Sequence, residues 1–129
     1  MSDTIFTKII KGELPCHRVY EDDKTIAFMD IHPVQPGMVL VVAKNPVDQF
    51  MDLPDEDYIA LMLVVKTIAQ KMRIHYPGAR IGVQIEGLDV PHAHVKLIPI
   101  YSSADFHASP DANEPDHEAL ESIAKKLAA

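Results

Sequence analysis

The segment Val90–Ile100 reads Val-Pro-His-Ala-His-Val-Lys-Leu-Ile-Pro-Ile and holds the side chains best suited to chemistry. Polar and apolar residues alternate along it. His92, His94 and Lys96 share one parity; Ala93, Val95 and Leu97 share the other. A strand sends successive side chains to opposite faces, so the apolar set is expected in a core. Two imidazoles and an ammonium then form a row on the other face, open to an anion such as phosphate. A neutral imidazole has a free nitrogen lone pair near pH 7, given an ordinary pKa of about 6.5. Attack by His94 on phosphorus would give a phosphohistidine that water later cleaves. Taken alone, the pair also fits a solvated strand face with no chemical role. It equally resembles the way metalloproteins offer two ligands to zinc, with His107 or Asp89 as a third. Lys96 opposes that reading, since an ammonium repels a cation.

The flanking pattern supplies the elements that must position this row. Ile5, Phe6, Ile9 and Ile10 recur at helical spacing and Gly12 follows as a C-terminal cap, which predicts a short helix. His17 to Tyr20 and Thr25 to Asp30 read as two strands joined through Glu21-Asp22-Asp23-Lys24. Ile31 to Gly37 contains Pro33, Pro36 and Gly37 and reads as an irregular loop, whereas Met38 to Ala43 is continuously apolar and suits a central strand. Pro54, Asp55, Glu56 and Asp57 open a long helix, with acids at the positive end of its dipole. Tyr58, Leu61, Met62, Val65, Ile68, Ala69 and Met72 form its apolar stripe, and Pro77-Gly78 ends it. Arg80 to Ile85 is a further strand, and Glu86 to Asp89 links it to the histidine segment. Ser102 to Pro115 reads as an extended loop, followed by a helix from Pro115 to Leu127 with Leu120, Ile123 and Leu127 inward. The order helix, three strands, helix, two strands, helix does not alternate as a parallel sheet requires. It predicts an α+β fold with an antiparallel sheet.

A length of 129 residues with 47% hydrophobic content suits one domain, 1–129, with a core over 1–101 and a loop and C-terminal helix over 102–129. A formal net charge of −7 excludes a general binder of nucleic-acid polymers, because no basic stripe is available to displace counterions. Cys16 is the only cysteine, so no internal disulfide forms. With no basic-then-apolar leader at the N-terminus and no membrane-length apolar run, a cytoplasmic protein is expected. His17, His32, His75, His107 and His117 are isolated in sequence and read as solvated.

Several blocks together point to a family. Asp-Thr-Ile-Phe-Thr-Lys-Ile-Ile-Lys-Gly-Glu-Leu-Pro, Val-Tyr-Glu-Asp-Asp, Ala-Phe-Met-Asp-Ile, Pro-Gly-Met-Val-Leu-Val-Val and His-Ala-His-Val-Lys resemble the histidine-triad (HIT) proteins over residues 3–100. The resemblance implies a HIT-like fold: a five-stranded antiparallel sheet with a short N-terminal helix, a long central helix and a C-terminal helix. It also implies a homodimer, no cofactor, and a site for the α-phosphate of a purine nucleotide or nucleotide conjugate. The family's nucleophile carries onto His94 and its first histidine onto His92. The ribose-binding carboxylate carries onto Asp30, and the apolar base pocket onto Ile5, Phe6, Ile9, Phe28 and Ile31.

The departures are specific. Lys96 stands at the third histidine and Met38 where many members have a histidine. Leu88 and Asp89 replace a Gln-Ser or Gln-Thr pair that helps hold phosphate, so Asp89 borders the nucleotide and is positioned to neutralise Lys96 or to repel phosphate. Thr4, Thr7 and Pro46 occupy ligand positions of the zinc site found in some bacterial members. Three functions fit: a nucleotidyl hydrolase or transferase with Lys96 as a third catalytic residue, slowed because a flexible lysine positions a proton less well than a ring; a nucleotide-binding dimer without turnover; and a metal-binding His-x-His protein.

Overall fold

The computed structural model describes residues 3–128. Helix α1 (Ile5–Ile10) precedes strands β1 (Arg18–Glu21), β2 (Thr25–Met29) and β3 (Val39–Ala43). A short 3-10 turn, Phe50–Asp52, leads into α2 (Asp55–His75). Strands β4 (Arg80–Gln84) and β5 (His94–Ile100) follow, then α3 (Ser103–Phe106) and α4 (His117–Ala128). The strands form one five-stranded sheet in the order β1-β2-β3-β5-β4, with every neighbouring pair antiparallel. This is the α+β architecture expected of the sequence.

Alternation sorts the sheet into two faces. Ala27, Met29, Val39, Val41, Val95 and Leu97 project into one core with Leu61, Val65, Ile68 and Met72 of α2 and Ala124 and Leu127 of α4. Ile26, Phe28, Leu40, Val42 and Ile98 project the other way and pack with Phe6 of α1 and Met38. Every residue of β2 and β3 is buried, which accounts for the unbroken apolar run of β3: a strand covered on both faces has no polar side. His94 and Lys96 share parity with Ile98 and so lie on the α1 face. Antiparallel pairing sets Lys96 across from Leu40 on one side and Gln84 on the other.

The structure departs from four local expectations. Ser102 to Pro115 is not wholly extended, because α3 forms where the Phe106 ring settles on Gly82. A Cβ there would lie 2.7 Å from that ring, so only glycine leaves it room. In α2 the buried stripe takes in Val64 and leaves Tyr58 exposed, since Val64 belongs to the core shared with Ala124 and Leu127 of α4. His17 is not solvated: its Nδ1 sits 2.8 Å from Glu121 and its Nε2 2.9 Å from His117, so the two rings and the carboxylate tie α4 to the start of β1. His32 is also held, its Nδ1 lying 2.9 Å from the Asp111 carbonyl.

Helix α1 covers the histidine end of the sheet, yet six residues rarely hold a helix unaided. A capping box supplies the first turn: the Thr7 backbone N–H donates to Thr4 Oγ1, while the Thr4 N–H donates to Thr7 Oγ1 at 2.8 Å. Packing of Phe6 supplies the rest. Thr4→Ala is therefore expected to lower stability by about 1 kcal/mol in urea denaturation, and a change below a few tenths would show that the box is idle.

Candidate functional site

The histidine segment enters the sheet from the loop Glu86–Pro91, where Gly87 turns the chain with φ +71°. His92 precedes β5 and is only 1% exposed. Its Nε2–H donates to the Ala43 carbonyl at the end of β3. His94 opens β5 and is 4% exposed. Its Nδ1–H donates to the carbonyl of His92 at 2.6 Å. A carbonyl can only accept, so in the neutral ring this bond puts the proton on Nδ1 and leaves the lone pair on Nε2.

The open row of side chains expected of the sequence is thus not what forms. Both imidazoles are inside. Phe6 lies edge-on against the His94 ring with centroids 4.8 Å apart, and 6.1 Å from the His92 ring. The physical reason is α1, which sits over this end of the sheet and seals it with one phenyl ring. Burial pushes the His94 imidazole below its usual value. Its hydrogen bond to the His92 backbone opposes that shift, Lys96 adds to it, and Glu86 pulls back.

Lys96, two residues along the same face, keeps partial exposure. Its Nζ meets Glu86 Oε1 at 3.1 Å. Hydrogen bonding to Lys96 holds the Glu86 carboxyl below its usual range, with help from the Leu88 backbone N–H. Sequence spacing points to Asp89 as the partner of Lys96, but Asp89 is exposed on the far side of the Gly87 turn. Glu86 does not stand out from sequence, although a signal for it exists. The register pairs Gln84 with Lys96 where β4 ends, and continuing it by two residues would bring Glu86 opposite His94.

The nucleotide-pocket candidates are spread over one rim. Phe6 and Phe28 meet edge-on with centroids 5.7 Å apart and belong to the core. Ile9 is partly buried against them. Ile5 is 51% exposed and Ile31 40% exposed, so both present apolar surface to solvent. Asp30 follows β2 and accepts a hydrogen bond from the His32 N–H at 2.8 Å through Oδ1. This is the turn-forming role open to such a residue, and it leaves Oδ2 without an assigned partner. Met38 is core: its sulfur accepts from the Val34 N–H. A cleft of about 480 Å³ runs from α1 to the loop before β5, lined by Asp3, Thr4, Ile5, Thr7, Pro46, Asp48, Asp89, Val90, Pro91 and His92. It reaches His92 and Asp89; His94 does not line it.

Among the described residues no group of three His, Cys, Asp or Glu side chains is arranged to hold a metal ion. His107 packs edge-on against Phe106. Helix α1 meets the cleft through Thr4 and Thr7, whose hydroxyls are engaged in the capping box. No described helix is long and apolar enough to cross a membrane.

The model of the HIT domain matches residues 11–103. The chain belongs to the HIT family. Among its relatives, an uncharacterized HIT-like protein of Methanocaldococcus jannaschii is 37% identical over 75% of this chain and 78% of its own. The adenosine 5′-monophosphoramidase of Saccharomyces cerevisiae is 32% identical, covering 97% of this chain and 80% of that protein. Among solved structures, a Hit-like protein from Bartonella henselae, crystallised with an unknown ligand, superposes with a TM-score of 0.84 at 32% identity, over 96% of this chain and 92% of that one. The HIT-like fold inferred from the sequence blocks is therefore the fold of this family member.

A buried neutral imidazole has a measurable signature. Since the His94 pKa is depressed in the folded state, the unfolded chain binds a proton first as pH falls below about 6.5, and stability drops. The loss cannot exceed about 1.4 kcal/mol per pH unit for one group. Urea denaturation at pH 7.5 and 5.5 is expected to show a smaller acid loss for His94→Asn than for the parent chain. Equal losses would mean that the ring is not held neutral.

Proposed function

We propose that this HIT protein binds a purine nucleotide or nucleotide conjugate and slowly hydrolyses or transfers its nucleotidyl group through His94. The observation that carries this reading is the Nδ1–H bond of His94 to the His92 carbonyl, which aims the neutral ring's lone pair through Nε2. The depressed imidazole pKa agrees with it, because the ring then stays unprotonated and nucleophilic. The yeast relative, named an adenosine 5′-monophosphoramidase, supports the substrate class.

In the first step His94 Nε2 forms a bond to the α-phosphorus, and the bond from phosphorus to the leaving nitrogen or oxygen breaks. The Lys96 ammonium lies two residues along the same face and can donate a proton to a leaving amine. In the second step water attacks the phosphohistidine, releasing the nucleoside monophosphate and returning Nε2 to its neutral state. Phosphorus must approach along β5 from the Lys96 side, since Phe6 covers the other flank of the ring. Asp30 offers Oδ2 to the ribose, and Ile5, Ile9 and Ile31 offer apolar surface to the base, with Phe6 and Phe28 behind them. Asp89 lines the neighbouring cleft on the His92 side.

Binding without turnover is a second reading, favoured by one observation: Lys96 is already engaged by Glu86 and is not free to act as an acid. Incubation with an adenosine phosphoramidate distinguishes the two. Under the catalytic reading, a nucleotidyl adduct accumulates on His94, is found by mass spectrometry and disappears in His94→Asn; bound nucleotide without adduct or turnover leaves the binding role. Lys96→His is expected to raise the rate by about tenfold or more, since a positioned acid contributes about 10² to 10⁴. An unchanged rate would locate the deficit at Met38 or Asp89 instead.

The same proposal includes a homodimer. Strand β4 is a sheet edge with a free row of backbone donors and acceptors, and Val83 on it is exposed. Sedimentation is expected to give twice the chain mass, and Val83→Asp to shift it toward the monomer. A monomeric parent chain would sink this part alone.

A further inference from the structure

Resting on the nucleotide reading, we infer that Glu86 sets how much negative charge the phosphate site accepts. By holding the Lys96 ammonium at 3.1 Å it selects nucleotides whose phosphate carries one negative charge in total over polyphosphates, which carry several. The cation beside His94 is not free: Lys96 and Glu86 together are electrically neutral, and Glu86, on the loop that follows β4, is close enough to His94 to act on its charge.

A singly charged phosphoryl group needs one donor and can share the ammonium with Glu86. A polyphosphate brings further charges that meet the Glu86 carboxylate at the site's edge, with Asp89 exposed on the same loop. Those charges are repelled, and the repulsion is screened by salt because the Glu86 side chain keeps 29% of its surface exposed. Among the described residues the cleft at the α1 end is lined by Asp3, Asp48 and Asp89 and by no lysine or arginine; Lys11 pairs with Asp3 at 3.2 Å, which leaves Asp48 and Asp89 as the uncompensated acids of the lining. Glu86 thus acts as a specificity-determining residue. It positions Lys96 and disfavours charge, and it need not touch the reacting atoms.

The test measures kcat/KM for adenosine 5′-phosphoramidate and for diadenosine tetraphosphate, in the parent chain and in Glu86→Gln, at low and high salt. The ratio of the two values is expected to move toward the polyphosphate by about tenfold in Glu86→Gln at low salt, and by less at high salt. Damage to the fold would lower both substrates together and leave the ratio alone. A ratio that moves less than twofold overturns the inference. If the parent chain turns over neither compound, calorimetric titration with the same two ligands reads the same ratio in Kd, and the same threshold applies. If neither ligand binds at all, the nucleotide reading itself fails. That outcome is distinct from two ligands that bind with an unmoved ratio.

Discussion

Two imidazoles lie inside an apolar sheet face, and each is held there by giving its one N–H to a backbone carbonyl. His92 donates to Ala43 and His94 to His92 itself. A buried polar hydrogen without an acceptor costs about 1–3 kcal/mol, so these bonds are a condition of the fold and not an ornament to it. They also fix which nitrogen of each ring is left with a lone pair. The chemistry ascribed to His94 is therefore a by-product of the way the sheet tolerates a histidine. The carbonyl that accepts from His94 is free because His92 stands just ahead of β5, where no strand partner claims it.

Helix α1 completes that arrangement. Its Phe6 ring covers His94, and without it that ring would meet water and lose the burial that lowers its pKa. The helix is too short to persist by propensity. It is anchored at one end by two threonines that cap one another and along its length by Phe6 against Phe28. The reciprocal hydrogen bonds between Thr4 and Thr7 fix the helix start.

Much of this was legible in the sequence, and the reasons it was legible are physical. The parity of Val95 and Leu97 against His94 and Lys96 follows from the strand repeat, and both cores obey it. The unbroken apolar run of β3 announced a strand covered on two sides. What could not be read was depth. Parity assigns a side chain to a face but does not say what lies over that face, and the six residues of α1 gave no hint that Phe6 would close on His94. Pairing across distance was equally hidden. His17, His117 and Glu121 meet only because α4 folds back on β1 after a hundred residues of intervening chain. Glu86 was closer to hand, since it follows the Gln84–Lys96 pair by two residues, but the loop spacing drew attention to Asp89 instead.

The ammonium at position 96 is matched by the carboxylate of Glu86. A third imidazole is uncharged for much of its time near neutral pH and could sit beside His94 at no electrostatic cost. A lysine there carries a permanent charge against a face already lined by Phe6, Leu40 and Ile98, and it needs a counter-charge to remain folded down. Glu86 supplies one at hydrogen-bond distance, on a loop whose tight turn at Gly87 keeps the carboxylate near the strand end. The same contact that steadies Lys96 also uses up its charge. A flexible cation with no partner would bind any phosphate and position none; a cation held by a carboxylate is better placed and less attractive to anions. Under the proposed reading the pair makes a weaker and more selective anion site than a free cation would, and its two members lie on β5 and on the loop that leads into it.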